Sequence, residues 1–147
     1  MQAIVDRILP HAEVFTPNLA EAEAITGLTI TNTEDMKKAA RRIHEMGAKY
    51  VLVKGGHLPH DADAKDILFD GHSFYSYTAP RIQTNSTHGT GCTFSSAIAS
   101  HLALGQMVPE AVSAAKQYMT GVITNAVPIG KGHGPTNHFY EFYPSWE

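Results

Sequence analysis

Cysteine occurs once in the 147 residues, at Cys92, so an intrachain disulfide framework and any site built from several thiolates are excluded. A basic excess is also lacking. Eleven Lys+Arg stand against 14 Asp+Glu, a formal charge of −3, which argues against a protein whose main task is gripping nucleic-acid phosphates. No apolar run approaches the roughly 18 residues of a membrane span, and the opening MQAIVDRILP lacks the charged-then-apolar order of a secretory signal. The chain is therefore expected in the cytoplasm, with neither membrane nor nucleic acid among its partners. Low-complexity tracts, charge blocks and repeats of about 20–50 residues are missing too, which excludes solenoids and propellers. What is present is enough apolar material for a folded domain, 43% hydrophobic residues against 17% charged, a balance that excludes a disordered chain.

Periodicity divides the sequence into elements. Val5, Ile8 and Leu9 have helical spacing that stops at Pro10, and Glu13–Thr16 is a short strand ended by Pro17. A helix opens at Asn18, runs through Leu19, Ala22 and Ile25, and closes at Gly27. The next begins after Thr33 with Glu34 and Asp35 in its first turn, buries Met36, Ala39, Ala40, Ile43 and Met46, and stops at Gly47. Tyr50–Val53 is a continuous apolar run of the kind covered on both faces of a parallel sheet. Beyond Lys54-Gly55-Gly56 the pattern changes to a hairpin: Asp66–Phe69, an Asp70-Gly71 turn, then alternating His72–Tyr77. Gly89 and Gly91 precede an Ala- and Ser-rich helix from Cys92 to Leu104. Pro109 starts another, with Val112, Ala115, Met119 and Val122 along one face, and the two helices are expected to cover the sheet. Residues 128–147 read as a glycine-rich loop followed by a docked irregular end. The expected fold class is α/β, a mainly parallel sheet flanked by helices with an antiparallel hairpin. Ligands in such sheets sit at the strands' carboxyl ends, where Thr16-Pro17-Asn18, Lys54-Gly55-Gly56 and Asn85 to Cys92 fall.

These segments carry the candidate chemistry. In Thr87-His88-Gly89-Thr90-Gly91-Cys92-Thr93 two glycines lead straight into a helix, a turn that aims backbone N–H groups at an anion; the alternative is an ordinary glycine turn capped by Thr90 or Thr93. It is not a Walker loop, because no Gly-Lys-Ser/Thr follows. Cys92 at the first turn is either a thiol favoured as thiolate by the helix terminus or a small packing residue. Zinc ligation by His88 and Cys92 is disfavoured, since the glycines between them break helical spacing and no second ligand pair is evident. Asn18-x-x-Glu21 reads as a capping box or as a carboxylate placed to orient magnesium through water. Lys54 directly after an apolar strand is either a phosphate-binding cation or a loop lysine.

Taken together, Phe15-Thr16-Pro17-Asn18-Leu19-Ala20-Glu21, Val51-Leu52-Val53-Lys54-Gly55-Gly56-His57, the run from Asn85 to Ser95, and Gly132-His133-Gly134-Pro135-Thr136-Asn137-His138-Phe139 resemble the hydroxymethylpyrimidine and phosphomethylpyrimidine kinases of thiamine biosynthesis, a ribokinase-like family. The resemblance implies ATP-dependent phosphorylation of 4-amino-5-hydroxymethyl-2-methylpyrimidine and then of its monophosphate. It implies magnesium near Asn18 and Glu21, held by Glu21 through water, and an anion hole at Gly89, Thr90 and Gly91. Lys54, Thr87 and Lys116 would bind ATP, and Cys92 would take the hydroxyl proton where the wider superfamily has aspartate. It extends over nearly the whole chain but matches only the C-terminal, nucleotide-binding half of such enzymes. Residues 1–147 are thus expected to be a single partial domain whose N-terminal half, with most of the pyrimidine pocket, is missing. Association with that half or into a homo-oligomer is expected, with Val51-Leu52-Val53 or Val14-Phe15 at an unpaired sheet edge. Two other readings stand beside this one: pyridoxal kinase, since some share the cysteine-bearing turn, and a non-catalytic nucleotide-binding remnant.

Overall fold

Residues 2–56, 58, 63–86, 88–127, 129 and 132–142 are described in a computed structural model. They group into two units, residues 1–81 and 82–147. In the first, helix α1 (Gln2–Arg7) ends sooner than the spacing of Val5, Ile8 and Leu9 predicts. Pro10 cannot donate an α-helical hydrogen bond, so Leu9–His11 closes as a separate 3-10 turn with buried Leu9 at its start. Strand β1 (Val14–Phe15) leads into α2 (Leu19–Thr26), which Asn18 caps and which Gly27 ends at φ 71°, in the left-handed region that favours glycine. The next helix, α3 (Thr33–Glu45), is capped by Asn32, whose Oδ1 accepts the Asp35 N–H at 3.0 Å. Its Met36, Ala39, Ala40 and Ile43 are buried as the spacing predicts.

Strands β2 (Tyr50–Gly55), β3 (Asp63–Phe69) and β4 (Phe74–Pro80) complete a sheet of order β1-β2-β3-β4. Only β1 and β2 run parallel; β2–β3 and β3–β4 are antiparallel. The mainly parallel sheet expected from the sequence is therefore a mixed one among the described residues. The physical reason is connection length. Helices α2 and α3 carry the chain back between β1 and β2, whereas only residues 56–62 separate β2 from β3, too few for such a crossover. Val51–Val53 also does not lie at a sheet edge, because β2 is paired on both sides; the described sheet ends at β1 and β4. Val51, Val53, Ile67 and Phe69 join Ala22, Met36, Ala39, Ala40 and Ile43 in one core cluster. By strand alternation the cross-strand partners Leu52 and Leu68 lie on the opposite face, and both are fully buried.

The β3–β4 connection is a four-residue loop rather than a two-residue Asp-Gly turn, so His72 and Ser73 lie outside the strand expected for them. Asp70 Oδ1 accepts the N–H groups of Ser73 at 2.6 Å and His72 at 2.8 Å, and the Tyr75 hydroxyl donates to Oδ2 at 3.0 Å. The backbone donors of Ser73 and His72 hold the Asp70 carboxyl below its ordinary value of 3.8. A lowered folded-state pKa means that this contribution is complete above the ordinary carboxylate value and is lost as pH falls through the lowered one. Asp70→Ala is expected to cost about 1–2 kcal/mol at neutral pH, the scale of hydrogen bonds to a charged group. Thermal unfolding of both chains from about pH 7 to about pH 3 checks this: the gap narrows with acid, and an equal gap throughout rejects it.

The second unit is a helix pair, α4 (Thr90–Ala103) and α5 (Val108–Thr124), packed on each other. Phe94 and Ile98 of α4 are buried, as are Val108, Ala111, Val112, Ala115, Met119 and Val122 of α5. Among the described residues no helix is long and apolar enough to cross a membrane.

Candidate functional site

In the first unit the capping box and the lysine-bearing strand meet. Asn18 Oδ1 accepts the Glu21 N–H at 2.8 Å, and Glu21 Oε2 accepts the Asn18 N–H at 2.8 Å, so both halves of the predicted cap form. Asn18 forms a parallel bridge with Lys54, and the Lys54 N–H donates to the Pro17 carbonyl at 2.9 Å. The carboxyl ends of β1 and β2 thus bring Asn18, Glu21 and Lys54 to one edge, the place where open α/β sheets bind ligands. Lys54 is half-buried, not a fully solvated side chain.

The backbone after Lys54 is fixed from three directions. A Cβ at Gly55 would lie 2.7 Å from Met36 Cε and would run into the Lys65 carbonyl oxygen, so only glycine fits. The Leu58 N–H donates to the Gly55 carbonyl at 2.8 Å, and Arg81 Nη2 donates to the Leu58 carbonyl at 3.2 Å. The Asp66 carboxylate, 3% exposed, accepts the Gly55 N–H at 3.0 Å. No motif of the sequence marks Asp66 or Arg81. The available signal for Asp66 was a charged residue leading directly into the apolar run Ile67-Leu68-Phe69.

In the second unit Gly89 takes the cap position of α4 at φ 80°, with no side-chain cap hydrogen bond. Neither Thr90 nor Thr93 is the cap that the ordinary-turn reading required; instead the Thr93 N–H donates to the Gly89 carbonyl at 2.9 Å. The helix begins at Thr90, two residues before the predicted start, and takes Gly91 and Cys92 into its first turn. His88 lies outside the helix, so the helical pairing with Cys92 does not exist, and Cys92 is exposed. Among the described residues no group of three or more His, Cys, Asp or Glu is placed to hold a metal ion. Thr87 lies outside the described residues, and Lys116 is half-buried midway along α5.

The approach to this turn is pinned by the tail. The His88 N–H donates to the Gly134 carbonyl at 3.1 Å, the Gly134 N–H donates to the Asn85 carbonyl at 3.2 Å, and His88 bridges Pro135. A side chain at Gly134 would fall 2.7 Å from the Oγ of buried Ser86. The Gly132–Phe139 motif therefore lies against the glycine turn. Beyond it, the Tyr118 hydroxyl and His138 Nδ1 share a hydrogen bond of 2.9 Å. A cavity of about 470 Å³ runs beside α4, lined by Cys92, Ser96, Ser100 and His101 together with Tyr118 and His138.

Residues 1–137 match the family described as phosphomethylpyrimidine kinase. The chain belongs to the phosphomethylpyrimidine kinase family. Within that family's reach, it is 46% identical over 132 residues to the hydroxymethylpyrimidine/phosphomethylpyrimidine kinase of Bacillus subtilis, covering 90% of this chain and 49% of that protein. It is 51% identical over 138 residues to the thiamine biosynthesis bifunctional protein ThiED of Geobacter sulfurreducens, covering 94% of this chain and 28% of that one. The solved pyridoxal kinase of Staphylococcus aureus in complex with AMP-PCP and pyridoxal superposes with a TM-score of 0.89 at 39% identity, covering 93% of this chain and 51% of that one. The fold is accordingly ribokinase-like, and the chain spans about half the length of the Bacillus kinase. The four motifs that carry the resemblance begin within the matched region; only Asn137 is followed by motif residues, His138 and Phe139, beyond it.

Proposed function

We propose that these residues are the nucleotide- and phosphate-handling part of a cytoplasmic, ATP-dependent kinase that phosphorylates 4-amino-5-hydroxymethyl-2-methylpyrimidine and its monophosphate. In this reading residues 1–147 act as one partial domain, the C-terminal half of the enzyme. The observation that carries the proposal is the bridge setting Lys54 beside the Asn18–Glu21 cap at the carboxyl ends of β1 and β2, in a chain of this family. Phosphoryl transfer is mainly positioning and charge neutralisation, and each candidate group suits one part of it. Lys54 binds the ATP phosphates as a point charge, with Thr87 and Lys116 as further ATP contacts. The Gly89–Gly91 turn offers main-chain donors at a helix start to the phosphoryl group being transferred. Cys92, exposed in the first turn of α4, takes the proton of the attacking hydroxyl.

The family's magnesium fits the donor set. Glu21 uses Oε2 in the cap, which leaves Oε1 as the hard oxygen ligand that magnesium accepts directly or through water. Asn18 would hold Glu21 in place through the same cap. When bound, magnesium supplies charge neutralisation for the phosphates. Pyridoxal is the second acceptor considered, favoured by the likeness to the Staphylococcus kinase solved with pyridoxal.

Calorimetry of the 147-residue chain with ATP, with and without magnesium, tests the nucleotide reading. Binding is expected, with Lys54→Ala weakening it by about tenfold or more, the scale of a lost hydrogen bond to a charged group. Equal binding by folded wild type and Lys54→Ala removes Lys54 from the phosphate site.

A further inference from the structure

Helix α5 ends at Thr124, and the carbonyls of a helix's last turn need partners from beyond the helix. The chain that follows supplies two of them: the Asn125 N–H donates to the Gly121 carbonyl at 3.1 Å, and the Ala126 N–H to the Ile123 carbonyl at 3.2 Å. The Val122 carbonyl is satisfied from much farther along the sequence, by the Asn137 N–H at 3.1 Å. The Asn137 side chain is engaged at both ends. Its Nδ2 donates to the carbonyl of Asn125, the cap residue of α5, at 3.1 Å, and its Oδ1 accepts the Phe139 N–H at 3.1 Å. Asn137 therefore fastens the tail to the end of α5 through both its main chain and its side chain. Three residues earlier the same tail is fastened to the approach of the glycine turn. Gly134 accepts the His88 N–H on its carbonyl and donates its own N–H to Asn85, and it lies so close to Ser86 Oγ that only glycine fits. Three residues span at most about 11 Å, and Thr136 between the two fastenings is buried, so the connection has little slack. Helix α4 has no side-chain cap of its own; the bond from His88 to the tail sits directly before the turn that starts it.

We infer that Asn137 is a positioning residue for the glycine turn: anchored on the end of α5, it sets the tail so that Gly134 holds His88, and through His88 the Gly89–Gly91 main chain, in place for the phosphoryl group being transferred. This rests on the phosphate role proposed for that turn. Asn137 acts through Gly134 and does not itself touch the nucleotide. Asparagine suits the task because one amide donates to a helix-end carbonyl while its oxygen accepts a tail N–H. A turn held in its binding geometry beforehand loses less freedom when phosphate arrives.

The test compares magnesium-ATP with magnesium-ADP binding by the whole chain, unaltered and as Asn137→Ala. ADP lacks the phosphoryl group that the turn receives, so it reports on the rest of the nucleotide site. Asn137→Ala is expected to raise Kd for ATP about five- to tenfold and for ADP less than about twofold, the scale of one or two hydrogen bonds felt only at the turn. A purely structural role moves both nucleotides together. Equal rises for ATP and ADP, or no rise for ATP, overturn the inference. If the unaltered chain binds ATP no more tightly than ADP, the phosphate role of the turn fails first, and the inference falls with it. For an Asn137→Ala chain that does not fold, amide hydrogen exchange in the unaltered chain decides. Magnesium-ATP is expected to slow exchange of the Gly134 and Asn137 N–H groups about fivefold more than that of buried Ala115 in the middle of α5, the low end of coupling between linked sites; slowing no greater than at Ala115 overturns the inference.

Discussion

Cys92→Ser is expected to lower kcat by about 10²–10⁴, the usual reach of general-base catalysis, while ATP affinity stays almost unchanged. The assay uses this chain fused behind the residues that precede the matched region in the Bacillus subtilis kinase, so that an acceptor can be bound. Cys92 is the third residue of α4 and is exposed. Serine keeps the size and the helical geometry but is a far weaker base. The change therefore separates chemistry from packing, and because Cys92 is exposed, loss of core contacts offers no competing explanation. A base lost from the transition state lowers kcat and kcat/KM together, whereas a lost ATP contact raises KM. Unchanged kcat in the serine variant removes Cys92 from the proton transfer.

How much of this was legible depends on whether the deciding contact is local. The cap at Asn18, the stop at Gly27 and the buried stripe of α3 are set within one or two helical turns, and all three form as expected except that Met46 is the partly buried C-cap of α3 rather than part of the stripe. The parallel pair β1–β2 followed from the crossover grammar around two helices. The antiparallel β3–β4 pair follows from the hairpin signal around Asp70-Gly71; the antiparallel β2–β3 pairing does not, because apolar runs look alike in parallel and antiparallel strands when both faces are covered. The hairpin loop grew to four residues because Asp70 captures two backbone N–H groups that a two-residue turn would have left in the ladder. α4 starts two residues before the sequence expectation, because Gly91 reads as turn although a glycine inside a helix costs only about 1 kcal/mol relative to alanine.

For the candidate site the same division holds. Asn18, Glu21 and Lys54 were found individually, and the structure joins them through one backbone bridge. The pairing of residues 85–88 with 134–135 has no local signal, since its two sides are separated by two whole helices. The burial of Asp66 was equally hidden. A charged residue in a strand pattern is read as a solvent-facing position unless the neighbouring strands are known, and here β2 and β4 flank it on both sides.

The 147 residues alone are expected to bind magnesium-ATP and yet phosphorylate hydroxymethylpyrimidine at a rate lower by at least about 10⁵ than the fusion. In-line transfer requires the acceptor oxygen about 3–3.5 Å from phosphorus, and well-oriented intramolecular reactions reach effective molarities of about 10⁵–10⁸ M. The groups assigned here bind nucleotide, receive phosphate or move a proton; none is assigned to the pyrimidine ring. The Bacillus relative has about as much chain again outside its match to these residues, room enough for the groups that orient an acceptor. Product formation from hydroxymethylpyrimidine, from its monophosphate and from pyridoxal is measured for the chain alone, for the chain mixed with the separately expressed Bacillus segment, and for the fusion. Turnover that appears on mixing marks a split kinase whose phosphate chemistry lies in this chain. Turnover by the chain alone at the fusion's rate sinks the expectation and turns attention to the cavity beside Cys92, whose Ser96, Ser100, His101 and Tyr118 would then be the polar groups available to an acceptor. Preference for pyridoxal over the pyrimidine in the fusion would assign the acceptor to the second reading without altering the roles of Lys54 and Cys92, because both act on the phosphoryl group and the hydroxyl proton that the two acceptors share.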